Sequence, residues 1–240
     1  MIAPLSHRWF ITGAGGMVGS DLRRELAARD EEIAAAPARA DLDIADAHAV
    51  TAAVQRARPT IIINCAAYTK VDLAESEESL ANAINGSAVE HLAEAANRAG
   101  ALLVQISTDF VFDGAKETPY EVNDPTAPLS AYGRSKLIGE HAAAIAEKYV
   151  IVRTSWLFGA HGPNFVEAMR GQMSKGTNPL RVVNDQRGRP TYTRHLAHAL
   201  IRIARLAAAS AEARGIVHYA DAAECTWYDF ACAIVEETGA

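Results

Sequence analysis

Hydrophobic positions recur along this chain in two alternating periods, short apolar runs of strand length and longer stretches with helical spacing. Trp9-Phe10-Ile11 reads as a buried first strand, and residues 17–28 place Val18, Leu22 and Leu26 on one helical face. Residues 31–36 form an alanine-rich second strand, and residues 46–57 a helix whose first turn is capped by Asp46. Thr60-Ile61-Ile62-Ile63-Asn64-Cys65-Ala66-Ala67 is β-branched and apolar on both faces, as a central parallel strand is. A long alanine-rich helix over 77–99 and a fourth strand over 101–107 follow. Residues 113–128 are rich in proline, glycine and acid, with the length of a lid or substrate loop. A helix opens near Ser130, and residues 149–155 make a fifth strand. The pattern then predicts a helix over 163–174, a short strand over 180–183, a turn over 187–191 and a helix over 194–209. A short strand over 215–219 and a helix over 226–238 end it. Strands alternating with helices predict an α/β fold, a Rossmann-type doubly wound parallel sheet. Elements after Trp156 are shorter and less regular, which predicts a smaller, partly interleaved lobe there.

Composition narrows the function classes. The chain has 240 residues, half of them hydrophobic, enough for one large core. A formal net charge of -6 argues against a nucleic acid polymer as partner. No uninterrupted apolar run approaches membrane-spanning length, and residues 1–7 lack the apolar stretch of a secretory signal. The three cysteines, Cys65, Cys225 and Cys232, have no metal-ligand spacing, and Cys65 reads as a core residue. The expectation is a cytoplasmic protein without membrane or metal.

The chemistry begins at Thr12-Gly13-Ala14-Gly15-Gly16-Met17-Val18-Gly19. A strand, a glycine turn and a helix in that order make a pyrophosphate site. Glycine permits the tight turn and close approach, and the helix amides face the negative charge. An ordinary turn with glycine for sterics is the plainer alternative. At the tip of the second strand, Ala36-Pro37-Ala38-Arg39 carries no acid until Asp41. Arg39 therefore points either to the 2′-phosphate of NADPH or to a solvated surface. Ala66 and Ala67 leave room for a cofactor, and Ser107-Thr108-Asp109 puts three polar residues on one strand exit. Tyr132 and Lys136, four apart on a helix, share a face. A lysine there is expected to lower the phenol from its usual value of about 10. Such a pair can protonate an alkoxide as hydride reaches a carbonyl carbon, with Thr108 bonding the same oxygen.

These motifs, in this order, resemble the extended short-chain dehydrogenase/reductases. Asn64-Cys65-Ala66-Ala67-Tyr68-Thr69-Lys70-Val71-Asp72, Ser107-Thr108-Asp109-Phe110-Val111-Phe112-Asp113-Gly114 and Tyr132-Gly133-Arg134-Ser135-Lys136 carry the resemblance. Arg153-Thr154-Ser155-Trp156 and Thr226-Trp227-Tyr228-Asp229-Phe230 support it further, and the Ser107-Thr108-Asp109 and Arg153-Thr154-Ser155-Trp156 stretches point to the branch that reduces dTDP-linked keto sugars. The resemblance implies that Gly13, Gly16, Met17 and Val18, with Gly19 closing the turn, hold the pyrophosphate. It implies that Asp43 and Ile44 border the adenine, and that Ala66, Ala67 and Tyr68 line the cofactor. Tyr132 is then the proton donor, Lys136 the ribose ligand, and Thr108 its assistant. Thr108, Asp109, Tyr132 and Trp156 would contact the sugar. The implied reaction is reduction of the 4-keto group of dTDP-4-dehydro-6-deoxy-L-mannose by NADPH, with NADH possible, in a monomer or homodimer. Residues 1–156 would be the NAD(P)-binding domain, and 157–240 a mixed segment returning to its core. By the same resemblance the chain stops early at Ala240, so part of the substrate lobe is expected to be missing and sugar-nucleotide binding to be weak. A non-catalytic NADP-binding subunit, like the regulatory subunit of methionine adenosyltransferase, and a sugar-nucleotide epimerase or dehydratase are the alternatives.

Overall fold

The computed structural model describes residues 7–239. Residues 1–6, which include most of the stretch read for a secretory signal, and Ala240 lie outside them. The first half runs β1 (Arg8–Thr12), α1 (Met17–Ala27), β2 (Glu32–Ala35), α2 (Ala47–Ala57), β3 (Ile61–Asn64), α3 (Val71–Ala74), α4 (Glu78–Asn82), α5 (Ala88–Ala99) and β4 (Leu102–Thr108). Then come α6 (Ala131–Ala143), β5 (Tyr149–Thr154), β6 (Leu157–Phe158), α7 (Phe165–Ser174), β7 (Arg187–Gly188) and β8 (Thr191–Tyr192). The last elements are α8 (Thr193–Ala209), β9 (Gly215–His218), β10 (Cys225–Thr226) and α9 (Trp227–Thr238).

Six strands form one parallel sheet in the order β2-β1-β3-β4-β5-β9. Side chains on a strand alternate between faces and both faces of this sheet are covered by helices, so its central strands are largely apolar on both, as Ile61, Ile62 and Ile63 show with no exposed surface. Phe10, Ile62, Leu103 and Ile151 pack on one face against Val50 and Val54 of α2, Val89 and Leu92 of α5 and Ala142 of α6. Trp9, Ile11, Ile63, Val104 and Val152 pack on the other against Leu22 and Leu26 of α1 and Leu196 and Leu200 of α8. The chain leaves β1 in one direction toward β2 and returns on its other side to β3. Ligands of such sheets bind at the carboxyl ends where that direction reverses.

Three expectations are corrected. The helix over 77–99 is interrupted by a π-turn, Ala83–Ser87, between α4 and α5. Helix α6 crosses so closely there that a Cβ on Gly139 would lie 2.0 Å from the Asn85 carbonyl oxygen, and the widened turn sets buried Asn85 inward. Residues 180–183 form no strand, and Val183 is 51% exposed. Strand pairing occurs instead within the expected turn, β7 with β10 antiparallel, and beside it β8 with β6 parallel. Two-residue ladders draw their hydrogen bonds from partners distant in sequence, so local pattern does not reveal them. The four residues of α3 are likewise too few to show a period.

Helix α1 is bound to the late helix α8 by buried acid. Asp21 accepts a hydrogen bond from Thr193 Oγ1 at 2.6 Å. Glu25, 4% exposed, accepts from Arg29 at 2.6 Å and Arg194 at 2.7 Å, and its Oε2 lies 2.5 Å from His198 Nε2. The bond from Arg29, ahead of those from Arg194 and His198, holds the Glu25 carboxyl well below its usual value, at about 2. A folded-state value below the unfolded one stabilises the fold at neutral pH and loses that contribution as pH falls from about 4.5 toward 2. Because the cationic partners are partly exposed, Glu25→Gln is expected to cost about 1–2 kcal/mol at pH 7. It should also narrow the stability difference between pH 7 and pH 3. Urea unfolding at both values measures this, and an equal loss at each would remove the Glu25 carboxylate from the effect.

Candidate active site

The glycine turn sits at the reversal point. Gly13 has φ +62, in the left-handed region, and a Cβ there would lie 2.6 Å from the Ala66 amide nitrogen. A Cβ on Gly19 would lie 2.4 Å from the Gly13 carbonyl oxygen. Both glycines are therefore required by backbone contact, the first against the end of β3 and the second inside the turn. Helix α1 starts at Gly16 without a side-chain cap, and Gly15 and Gly16 are exposed. Uncapped amides, a bare turn and small residues at Ala66 and Ala67 suit the pyrophosphate of a dinucleotide. Met17 is half-buried beside the turn, while the Val18 side chain belongs to the core.

The second-strand tip lies against this turn, with the Ala14 amide 3.5 Å from the Pro37 carbonyl. Arg39 is exposed in the turn that follows. Asp41 bends back to accept from the Ala38 amide at 3.1 Å, so the nearby acid is engaged by its own loop. Asp43 is exposed and accepts from the Ala45 amide at 3.0 Å, whereas the Ile44 side chain is buried in the core. Tyr68 turns inward: its hydroxyl donates to Glu77 Oε2 at 2.7 Å, and its backbone is clamped by both polar atoms of Asn85.

Under the turn a buried polar chain joins the strand ends. Thr12 Oγ1 donates to Asn64 Oδ1 at 2.5 Å, and the Ala66 amide donates to the same oxygen at 3.1 Å. Asn64 Nδ2 donates to Gln105 Oε1 at 2.7 Å, and Gln105 Nε2 donates to the Ile106 carbonyl at 2.9 Å. That carbonyl also accepts from Lys136 Nζ at 2.7 Å. Gln105, which the sequence pattern does not single out, thus links the glycine turn to the lysine. Its one sequence signal is a polar residue at the centre of an apolar strand.

Helix α6 begins on Ser130, whose hydroxyl accepts from the Gly133 amide at 3.0 Å. It brings Tyr132 near Thr108 at the end of β4, where the Thr108 hydroxyl acts on the phenol. Thr108 Oγ1 donates to Asp109 at 3.0 Å and accepts from the Phe110 amide at 3.2 Å. Phe110 meets the Tyr132 ring edge-on, centroids 5.7 Å apart. Burial, aided by the Asp109 charge, pushes the Tyr132 phenol up to about 12 against the opposing bond to Thr108. The expected lowering by Lys136 is not among the effects on the phenol in this arrangement, where the Lys136 ammonium is turned to the Ile106 carbonyl. Burial also drives Lys136 down to about 8, partly offset by Glu140, and lifts Asp109 to about 6. Ser107, the third polar residue of the strand exit, faces away and donates to Glu140 Oε1 at 2.6 Å.

Trp156 lies past the end of β5 at φ +48 and stacks on Trp227, centroids 3.6 Å apart. Phe165 and Phe230 extend that cluster. Among the described residues no group of three or more His, Cys, Asp or Glu could hold a metal ion, and no helix is long and apolar enough to cross a membrane.

Residues 7–240 match the family model described as the RmlD substrate binding domain. The chain is 43% identical over 222 residues to a dTDP-4-dehydrorhamnose reductase of Streptomyces griseus, covering 92% of this chain and 72% of the relative. It is 43% identical over 246 residues to that of Mycobacterium tuberculosis, with 100% and 78% covered. Among solved structures, the dTDP-4-dehydrorhamnose reductase of Bacillus anthracis in complex with NADP superposes with a TM-score of 0.91 at 38% identity, over 98% of this chain and 82% of that one. UDP-glucose 4-epimerase of Thermus thermophilus, at 23% identity and a TM-score of 0.83 over 97% and 83%, shares the fold. The chain belongs to the RmlD substrate binding domain family, that of the dTDP-4-dehydrorhamnose reductases.

Proposed function

We propose that this chain reduces the 4-keto group of dTDP-4-dehydro-6-deoxy-L-mannose to give dTDP-L-rhamnose, with NADPH as reductant and NADH as a poorer substitute. The observation that carries this reading is the convergence of Thr108, Tyr132 and Lys136 at the strand ends next to the glycine turn. Gly13, Gly16, Met17, Val18 and Gly19 would hold the pyrophosphate, Arg39 the 2′-phosphate, and Asp43 and Ile44 the adenine side. Ala66, Ala67 and Tyr68 would line the cofactor, Tyr68 through its backbone. The bound nicotinamide supplies the hydride.

The chain's own groups handle the proton. With its pKa pushed up to about 12, Tyr132 is protonated at neutral pH, the state a reduction requires. As C4 gains hydride, its oxygen becomes a stronger base than a phenolate, and the Tyr132 hydroxyl gives it the proton. Thr108 bonds the same oxygen, Lys136 holds the ribose, and Asp109 and Trp156 flank the sugar. Mixing the protein with NADPH and the keto sugar, and following the nicotinamide absorbance, tests the reaction. Unchanged absorbance in the presence of substrate would sink it.

Tyr132→Phe is expected to lower kcat by roughly 100- to 10,000-fold while the dissociation constant for NADPH stays within a few-fold. Stopped assays and cofactor fluorescence titration read the two quantities, and a rate near the parent's would take the phenol out of the proton transfer.

Arg39→Ala is expected to weaken NADPH roughly 10- to 100-fold, the worth of charge-assisted bonds to a phosphate, and to leave NADH nearly unaffected. Calorimetry with both cofactors decides, and an unchanged preference would return Arg39 to bulk solvent.

A further inference from the structure

Beside the reactive groups lies a second buried cluster to which the reduction assigns no part. Arg153 of β5 and Glu140 of α6 are 5% and 3% exposed. They pair through two bonds, Nε to Oε1 at 2.9 Å and Nη2 to Oε2 at 2.7 Å. Ser107 of β4 donates to the same Oε1. Glu140 stands one helical turn after Lys136, so this fork ties the face of α6 that carries Lys136 to two strands of the sheet.

The third guanidinium nitrogen reaches outward. Arg153 Nη1 is 3.4 Å from the Val122 carbonyl and 3.5 Å from His218 Nε2. The guanidinium carbon lies 5.0 Å from the Phe112 ring centroid. Phe112 stacks on Tyr120 at 4.2 Å, and His218 of β9 meets it edge-on at 5.9 Å. The segment beyond is tied to itself: Tyr120 donates to Asp113 at 2.5 Å, and Asp124 accepts from Lys116 at 2.5 Å and from the Glu121 amide at 2.7 Å. Residues 112–130 connect the turn after Thr108 to Ser130, the cap of α6, two residues before Tyr132. Arg153 therefore grips the middle of the segment strung between the two groups that must meet at one substrate oxygen.

We propose that Arg153 is a positioning residue for the reduction: held by Glu140, it anchors Phe112, Tyr120 and Val122, and so sets Thr108 and Tyr132 at their working separation. This rests on the reading that Thr108 and Tyr132 act on the carbonyl. A guanidinium is suited to the task because its planar fork bonds the carboxylate with two nitrogens and leaves a third edge and a face free. Lysine would keep the charge and lose that geometry.

Two variants separate positioning from packing. Arg153→Lys retains a cation beside Glu140, and Tyr120→Leu leaves the buried pair intact while removing the ring from Phe112. Each is expected to lower kcat roughly 10- to 100-fold, as a small misplacement of reacting groups does. KM and the dissociation constant for NADPH should stay within a few-fold. Tyr120→Phe, which keeps the stacked ring, should stay close to the parent rate. In hydrogen exchange, amides of residues 109–134 should exchange about fivefold faster or more in the first two variants, with the core strands unchanged. A parent-like kcat per folded molecule in both variants, whatever their melting temperatures, would overturn the proposal, and so would unchanged exchange over 109–134. If the parent fails to oxidise NADPH with the keto sugar, the assigned reaction falls, and the exchange measurement still decides whether Arg153 holds the segment.

Discussion

No side chain fits between Gly13 and the backbone of Ala66, and the carboxyl edge of the sheet is arranged around that contact. Helix α1 leaves that turn without a side-chain cap on its first amides. The same contact brings Ala66 to the Asn64 carboxamide, which also takes the Thr12 hydroxyl and passes a hydrogen bond to Gln105. Buried amide and hydroxyl groups are stable only when their bonds are satisfied. The polar chain from Thr12 to the Ile106 carbonyl therefore ties the ends of β1, β3 and β4 to one another. Lys136 ends that chain, so its ammonium position is linked to the turn through the side chains of Thr12, Asn64 and Gln105 and one carbonyl.

Electrostatics at the site follow from burial more than from pairing. Tyr132 rises to about 12 and Lys136 falls to about 8, both moved first by loss of water. Each shift disfavours the charged form, as a low-dielectric setting requires. A protonated phenol is the reactant state for giving a proton to an alkoxide. Under the proposed reduction the arrangement needs no phenolate before hydride transfer. Asp109, lifted to about 6, lies close enough to add to the rise at Tyr132.

Carboxylates also bind the late part of the chain to the early part. Asp21 and Glu25 on α1 meet Thr193, Arg194 and His198 on α8, and Glu140 on α6 meets Arg153 on β5. Through β9 and α8 the segment after residue 156 supplies one edge of the sheet and half of one helical layer. The helix that presents its amino end at the glycine turn is thereby braced from behind by Thr193 and Arg194, 172 and 169 positions further along the chain from their partners.

The sequence by itself determined the alternation of elements, the parallel sheet and the glycine turn, and it singled out Thr108, Tyr132 and Lys136 as candidates. Each is a local matter of side-chain period, backbone freedom at Gly13 and Gly19, or four-residue spacing on one helix. Other features escaped it because their cause is distant in sequence. The π-turn at Asn85 is imposed by the crossing of Gly139, and the ladders at Arg187–Gly188 and Thr191–Tyr192 form only when Cys225–Thr226 and Leu157–Phe158 arrive beside them. Gln105, Glu140 and Arg153 look in sequence like isolated polar residues within apolar or amphipathic stretches. Only the tertiary structure decided that they are partners, and that burial pushes the Tyr132 phenol up, because desolvation depends on everything packed around a group and not on its neighbours in the chain.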